Sequence, residues 1–320
     1  MQPRCSSKTV LSLALGAVLT GQAWANEPMV IGVPHWPSAE VTAHILAETL
    51  QTELEQDTQL KVSGTLGIFT GIEDGSIDVH PEIWLPNLDK VVRRYTIDAD
   101  VLRLSPRGTA ASQNICTTPH SQAVTGIDQL SDLTNPEIAK QFDSDGDGRG
   151  EIWIGAETWS STPIEQIRAR SYGYDQTMEL LKAPEDVAMA NVDAAIAIGR
   201  PVVFYCYQPH HIFELHEIVA LAEPPHDPAR WSILLPSEDA TWLKNSRAET
   251  AWDAAHFHIG YASHLARNYP DVAGFLDNVT FSADDITAMA YAVSVERRAP
   301  GDVAADWIKD NQDRIEAWRP

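Results

Sequence analysis

Twice along this chain a short run of apolar, β-forming residues breaks at a tryptophan-bearing loop and resumes as a helix start. Met29 to Val33 leads through Pro34-His35-Trp36-Pro37 to Ser38, and Ile152 to Gly155 leads past Trp159 to Ser160-Ser161-Thr162-Pro163. A strand that feeds directly into a helix must return over the sheet face to be buried, which is the rhythm of an α/β fold with a largely parallel sheet. The first helix follows from Ser38 as an N-cap, with Val41, Ile45, Leu46, Leu50 and Leu54 on one face. Leu60 to Val62 predicts a second strand, and Gly71 to Val79 a helix end, a turn and a third strand. In the second unit Thr162 reads as the cap, Pro163 as the first helical residue and Glu165 as its capping-box partner. Val202 to Tyr207 reads as strand. The last hundred residues read as mostly helical, with a capping box at Ser282 and Asp285 and a final helix from Asp302. No fixed-period repeat or low-complexity tether separates the two units, so short crossings are expected between them.

The first 25 residues fall outside this pattern. Arg4 and Lys8 precede an apolar run of ten residues, Val10 to Leu19, and Ala23-Trp24-Ala25 has the small-x-small form of a cleavage site. Such a run is too short to span a bilayer as a helix, which takes about 20 residues. This reads as a secretory signal removed before Asn26, so the mature protein is expected to be exported. Cys5 leaves with it, and the remaining two thiols, Cys116 and Cys206, read as one disulfide in an exported chain. Loss of Arg4 and Lys8 takes the 23 basic residues to 21 while all 45 acids stay, so the formal charge moves from −22 to −24. That balance excludes nucleic acid as a partner and argues against docking on anionic lipid. Ten Trp, eight Tyr and seven Phe exclude a disordered chain.

Enzyme signatures are absent: no G-x-S-x-G, no G-x-x-x-x-G-K-[ST], no G-x-G-x-x-G after a strand and no H-E-x-x-H. Adjacent His210 and His211 would not converge on a helix or strand. His256 and His258 would share a face only in a strand, and their surroundings read as helix. Trp242, Trp252, Trp307 and Trp318 read as core. The other tryptophans carry the signal. Trp36 and Trp159 occupy equivalent positions after a strand, where open α/β sheets place ligands, and Trp84 stands between Pro81 and Pro86 at a strand's end. Aromatic faces meeting at one cleft attract a quaternary ammonium at about 0.5–2 kcal/mol per face.

The segments Ile31-Gly32-Val33-x-x-Trp36-Pro37-Ser38-Ala39-Glu40, Gly75-Ser76-Ile77-Asp78-Val79-x-Pro81-Glu82-x-Trp84-Leu85-Pro86 and Tyr207-Gln208-Pro209-His210 resemble the substrate-binding proteins of glycine betaine, choline and proline-betaine ABC importers. The resemblance spans the mature chain. It implies a type II-like periplasmic binding protein whose two lobes, each a mostly parallel sheet flanked by helices, close on a trimethylammonium-type ligand that is then delivered to a membrane permease. Lobe I would comprise 26–112 with 209–320, and lobe II 113–208, the protein acting as a monomer without catalysis. Trp36 and Trp84 match positions of the family's aromatic box. Tyr207 stands where many members have Trp before a Pro-His pair, and Trp159 where some carry polar contacts. Ser38, Glu82 and His210 complete the candidate ligand set, Glu82 as a counter-charge. Choline, betaines, carnitine and trimethylamine N-oxide remain open as ligands. A sensor could equally be the receiving partner.

Asp143-Ser144-Asp145-Gly146-Asp147-Gly148-Arg149-Gly150-Glu151 opens like a calcium loop, with carboxylates at alternate positions and the Arg149 carbonyl as a backbone ligand. Ile154 replaces the acid expected at position twelve. The expectation is a structural Ca2+ held by Asp143, Asp145, Asp147, Arg149 and Glu151. The alternative function is a secreted metal-dependent hydrolase built on the same cluster, which lacks an accompanying nucleophile or base.

Overall fold

The computed structural model describes residues 27–320, so the leader assigned to 1–25 lies outside the described residues. The strands are β1 (Met29–Val33), β2 (Thr58–Val62), β3 (Val79–Leu85), β4 (Leu102–Leu104), β5 (Thr109–Thr117), β6 (Gly150–Trp153), β7 (Met178–Leu181), β8 (Val203–Gln208), β9 (Val219–Ala220), β10 (Trp231–Ser232), β11 (Arg247–Ala248) and β12 (Ala255–Ala262). Ten of them form one sheet in the order β2-β1-β3-β12-β5-β8-β6-β7, with β4 on β12 and β9 on β5. Both flanks are parallel: β1 pairs with β2 and β3, and β6 with β7 and β8. Helices Pro37–Leu54 and Thr65–Asp74 link the first three strands, and helices Ser161–Tyr172 and Glu185–Ala197 link β6, β7 and β8. Each flank is therefore a β-α-β-α-β unit whose first strand sits in the middle, the arrangement that opens a crevice at the strands' carboxyl ends.

Between the flanks, β12 and β5 run antiparallel to their neighbours. β5 changes partner along its length: Thr109 to Ala111 pair with β12, and Ser112 to Thr117 pair with β8. It thus belongs to both units. Each unit has its own apolar centre, with Ile31, Ile45, Leu46, Leu50, Ile68 and Ile83 fully buried in the first and Ile152, Ile154, Ile167 and Phe204 in the second. Burial of each such side chain is worth about 1.5–3 kcal/mol. Cys116 on β5 and Cys206 on β8 are joined by a disulfide across 90 residues of sequence.

Both expected N-caps are corrected. The first helix starts at Pro37 with Trp36 in the cap position, and Ser38 turns its hydroxyl to Glu82. Proline at the first helical position already lacks the N–H that a cap would satisfy. The second starts at Ser161, and the Thr162 hydroxyl donates to the Ala156 carbonyl 2.5 Å away. Glu165 there serves the fully buried Arg168, which also holds Glu223 and the Thr250 carbonyl, so the 223–252 segment is fastened against this helix. The box at Ser282 and Asp285 is present. The helical reading around His256 and His258 is wrong: both lie on β12, with ring centroids 4.9 Å apart. Residues 221–254 are likewise mostly irregular, because tertiary contacts such as those of Arg168 order them without regular hydrogen bonding.

Candidate functional site

β1 and β3 end beside one another in the first unit, and β6 and β8 in the second. Residues near those four ends meet in one cavity lined by Trp36, Trp84, Trp159, Tyr205 and Tyr207 together with Glu82, Asn87, Leu88, Ser160 and Ser161, to which Thr65 after β2 and Gln113 of β5 are added. It encloses about 400 Å³, open solvent at its mouth included. The rings are nearly perpendicular to one another: Trp36 and Trp159 at 6.4 Å and 83°, Trp84 and Tyr207 at 5.4 Å and 83°, Trp159 and Tyr207 at 5.7 Å and 81°. Phe257 of β12 stacks behind Trp84 at 5.0 Å. Edge-to-face contacts of this kind are a favoured arrangement of packed aromatic rings.

Gly155 makes the second wall possible. Its φ of +117° lies in a region that L side chains avoid, and a Cβ would stand 2.5 Å from the Thr162 hydroxyl. Only glycine lets the chain turn so sharply between β6 and the loop bearing Trp159.

Glu82 sits behind the rings. It shares a face of β3 with Trp84 and is fully buried. Its Oε2 accepts from the indole of Trp36 at 2.7 Å, the indole of Trp84 at 3.3 Å and the Ser38 hydroxyl at 3.2 Å, while Oε1 accepts from Thr42 at 3.3 Å. Burial pushes its carboxyl up to about 7, and these four donors hold it from rising further. Ser38 and Thr42 reach it because they lie four apart on one helix face. Among the described residues, no Lys, Arg or His lines the cavity.

On the opposite side, Tyr207 donates its phenol hydrogen to Glu185, and His210 Nε2 lies 2.8 Å from the same oxygen. Burial and the adjacent Glu185 hold the Tyr207 hydroxyl well above its usual range. At the polar end, the Asn87 and Gln113 amides bond each other reciprocally at 2.8 Å, and Tyr205 donates to Gln113 at 2.7 Å.

Of the residues expected at the site, Trp36, Glu82, Trp84, Trp159 and Tyr207 line the cavity. Ser38 and His210 do not: Ser38 supports Glu82, and His210 packs behind Tyr207 with centroids 4.7 Å apart. Its neighbour His211 does converge on it, the two rings 4.2 Å apart in the turn after Pro209. Tyr205, Asn87, Gln113 and Glu185 were not singled out from the sequence. Tyr205 had a signal, since it lies two before Tyr207 on a strand and so on the same face.

In the acidic loop, ligand-type oxygens of Asp143, Asp145, Asp147 and Glu151 lie within 4.8 Å of one another. Asp143 accepts from the backbone of Gly146 and Gly148, and Glu151 from that of Ser144, while the buried Glu151 Oε1 has no hydrogen-bond partner. Such a set of hard oxygens fits a divalent cation. The Arg149 side chain turns away to the Met178 carbonyl, and Ile154 belongs to the core. The loop enters β6 at Gly150, whereas Trp159 follows that strand's other end.

Residues 27–310 match the family described as the substrate binding domain of ABC-type glycine betaine transport system. The trimethylamine N-oxide-binding protein of Pelagibacter ubique (strain HTCC1062) is 21% identical over 328 residues, spanning 98% of this chain and 96% of that protein. The glycine betaine/proline betaine-binding periplasmic protein of Salmonella typhimurium (strain LT2) is 21% identical, spanning 97% and 96%. Among solved structures, an ABC-transporter choline binding protein in complex with choline superposes with a TM-score of 0.71 at 18% identity, over 91% of each chain. Lactococcal OpuAC, closed and complexed with glycine betaine, gives 0.71 at 17% identity over 92% of this chain and 100% of that one. At these identities the solved structures establish the two-lobed fold.

Proposed function

The chain belongs to the substrate-binding domains of ABC-type glycine betaine transport systems, and from that premise we propose that it captures a small methylated ammonium compound in the aromatic box formed by Trp36, Trp84, Trp159 and Tyr207. The observation that carries this reading is the convergence of four rings from two sheet units on one cavity in which, among the described residues, Glu82 is the sole ionisable acid or base besides the tyrosines. Rings and carboxylate favour a cationic head. Asn87, Gln113, Tyr205, Ser160 and Ser161 offer neutral polar groups to the tail, and the start of helix Ser161–Tyr172 adds backbone N–H groups for a partial or full negative charge. Glycine betaine, proline betaine, choline and trimethylamine N-oxide all meet these requirements. The two lobes would close over the ligand, and the loaded monomer, exported to the periplasm, would deliver it to the importer's permease.

Titration calorimetry of the protein lacking residues 1–25 against these four compounds and carnitine tests the reading. Micromolar binding of at least one, equivalent to about 8 kcal/mol, is expected. No binding of any would overturn it.

The acidic loop is proposed as a structural calcium site, on the strength of its converging carboxylates and the unpartnered Glu151 oxygen. With hard ligands alone and its position across β6 from the rings, it supports the loop and takes no part in a hydrolytic step.

A further inference from the structure

Glu185 opens helix Glu185–Ala197 and is only 6% exposed. No Lys or Arg pairs with it among the described residues; its Oε1 takes the Tyr207 phenol hydrogen and the His210 contact, and its Oε2 is buried without a partner. A buried carboxylate with so little compensation is costly to keep. The helix N-terminus offsets part of that cost. A neutral acceptor such as glutamine would orient the phenol equally well, so orientation alone does not account for an acid here.

We propose that Glu185 is a positioning residue for cation recognition: by accepting the Tyr207 hydrogen as a carboxylate, it polarises that ring and gives the box its preference for charged over uncharged trimethyl groups. A phenol that donates strongly to an anion carries more negative charge, and its face attracts a cation more strongly. The pattern is shared by both lobes. Trp36 and Trp84 donate to Glu82, Tyr207 to Glu185, so three of four walls are hydrogen-bonded to a buried carboxylate, while Trp159 donates to the His35 carbonyl. The proposal rests on the methylated-ammonium reading and deepens it.

The test compares choline with its uncharged carbon isostere, 3,3-dimethylbutan-1-ol, by calorimetry on wild type, Glu185→Gln, Glu185→Asp, Tyr207→Phe and the Glu185→Gln/Tyr207→Phe double variant. Glu185→Gln should weaken choline about fivefold and the alcohol less than about twofold. Glu185→Asp should retain the wild-type ratio, and Glu185→Gln should add nothing in the Tyr207→Phe background. Equal losses for both ligands, a loss that persists without the phenol, or no loss would overturn the proposal. If Glu185→Gln melts early, the Tyr207→Phe single variant decides: the ratio of choline to alcohol affinity must fall by about fivefold, and an unchanged ratio overturns the proposal. Wild type that binds choline no better than the alcohol also overturns it. Wild type that binds none of the five panel compounds removes the functional reading itself, a distinguishable outcome.

Discussion

Trp84 is the residue on which the proposed box depends most. It faces Tyr207, stacks on Phe257 and donates to Glu82, so its loss removes a wall and frees a buried acceptor together. Trp84→Ala should weaken ligand binding at least about tenfold, the value of one well-placed face, with the circular dichroism unchanged. Glu82 sets a pH dependence. Its carboxyl rises from 4.5 to about 7 in the folded protein. The folded state therefore keeps a proton that the unfolded chain has released in that window. Glu82's contribution to stability is full below 4.5 and is lost as pH climbs through 7. Affinity for choline, a permanent cation, runs the other way, since only ionised Glu82 attracts it. Choline binding should strengthen from about pH 6 to about pH 8, and Glu82→Gln should flatten that profile; a flat wild-type profile would contradict the assignment. At this scale the sequence was legible where a residue type is rare and chemically committed. Trp36, Trp84 and Trp159 stood out as tryptophans near strand ends, and Glu82 as an acid two residues before one of them. Gln113 and Asn87 did not, because a lone amide carries no pattern until its partner, 26 residues away, is beside it.

Elements bear the stability of the site. The Cys116–Cys206 bond ties β5 to β8, the strand that carries Tyr205 and Tyr207. Cys116→Ala/Cys206→Ala should cost roughly 4 kcal/mol by loop entropy and lower the melting temperature by roughly 6 °C; differential scanning calorimetry reads this directly. The acidic loop should behave differently. Chelation is expected to lower melting by several degrees and to weaken ligand binding only modestly, because β6 separates the loop from the rings. A protein whose melting is indifferent to millimolar calcium has an acidic turn there and nothing more. Strand and helix order was readable from periodicity in the two parallel units. Caps were not: Ser38 and Thr162 are good cap residues drawn to other partners, Glu82 and the Ala156 carbonyl. β12 was missed because its sequence, Ala-His-Phe-His-Ile-Gly-Tyr-Ala, lies between helix-like segments and owes its extended form to pairing with β3 and β5.

On the scale of the whole molecule, two similar units share strands at their middle, and the cavity proposed to hold the ligand lies where both open. We place the first crossing near residue 112, where β5 changes partner from β12 to β8. A second crossing is proposed near 208; the segment beyond it packs back on β5 and helix Ser161–Tyr172, since β9 pairs with Cys116 and Thr117 and Glu223 binds Arg168. That return was illegible in sequence because a buried ion pair leaves no periodic trace. The central claim is that a methylated ammonium head sits among the four rings. A crystal structure of the protein grown with its tightest-binding panel compound tests this most directly. The account predicts the methylated nitrogen within about 6 Å of the Trp36, Trp84, Trp159 and Tyr207 ring centroids, with the tail toward Gln113 and Ser161. A ligand bound elsewhere, or one whose nitrogen faces away from the rings, would contradict it.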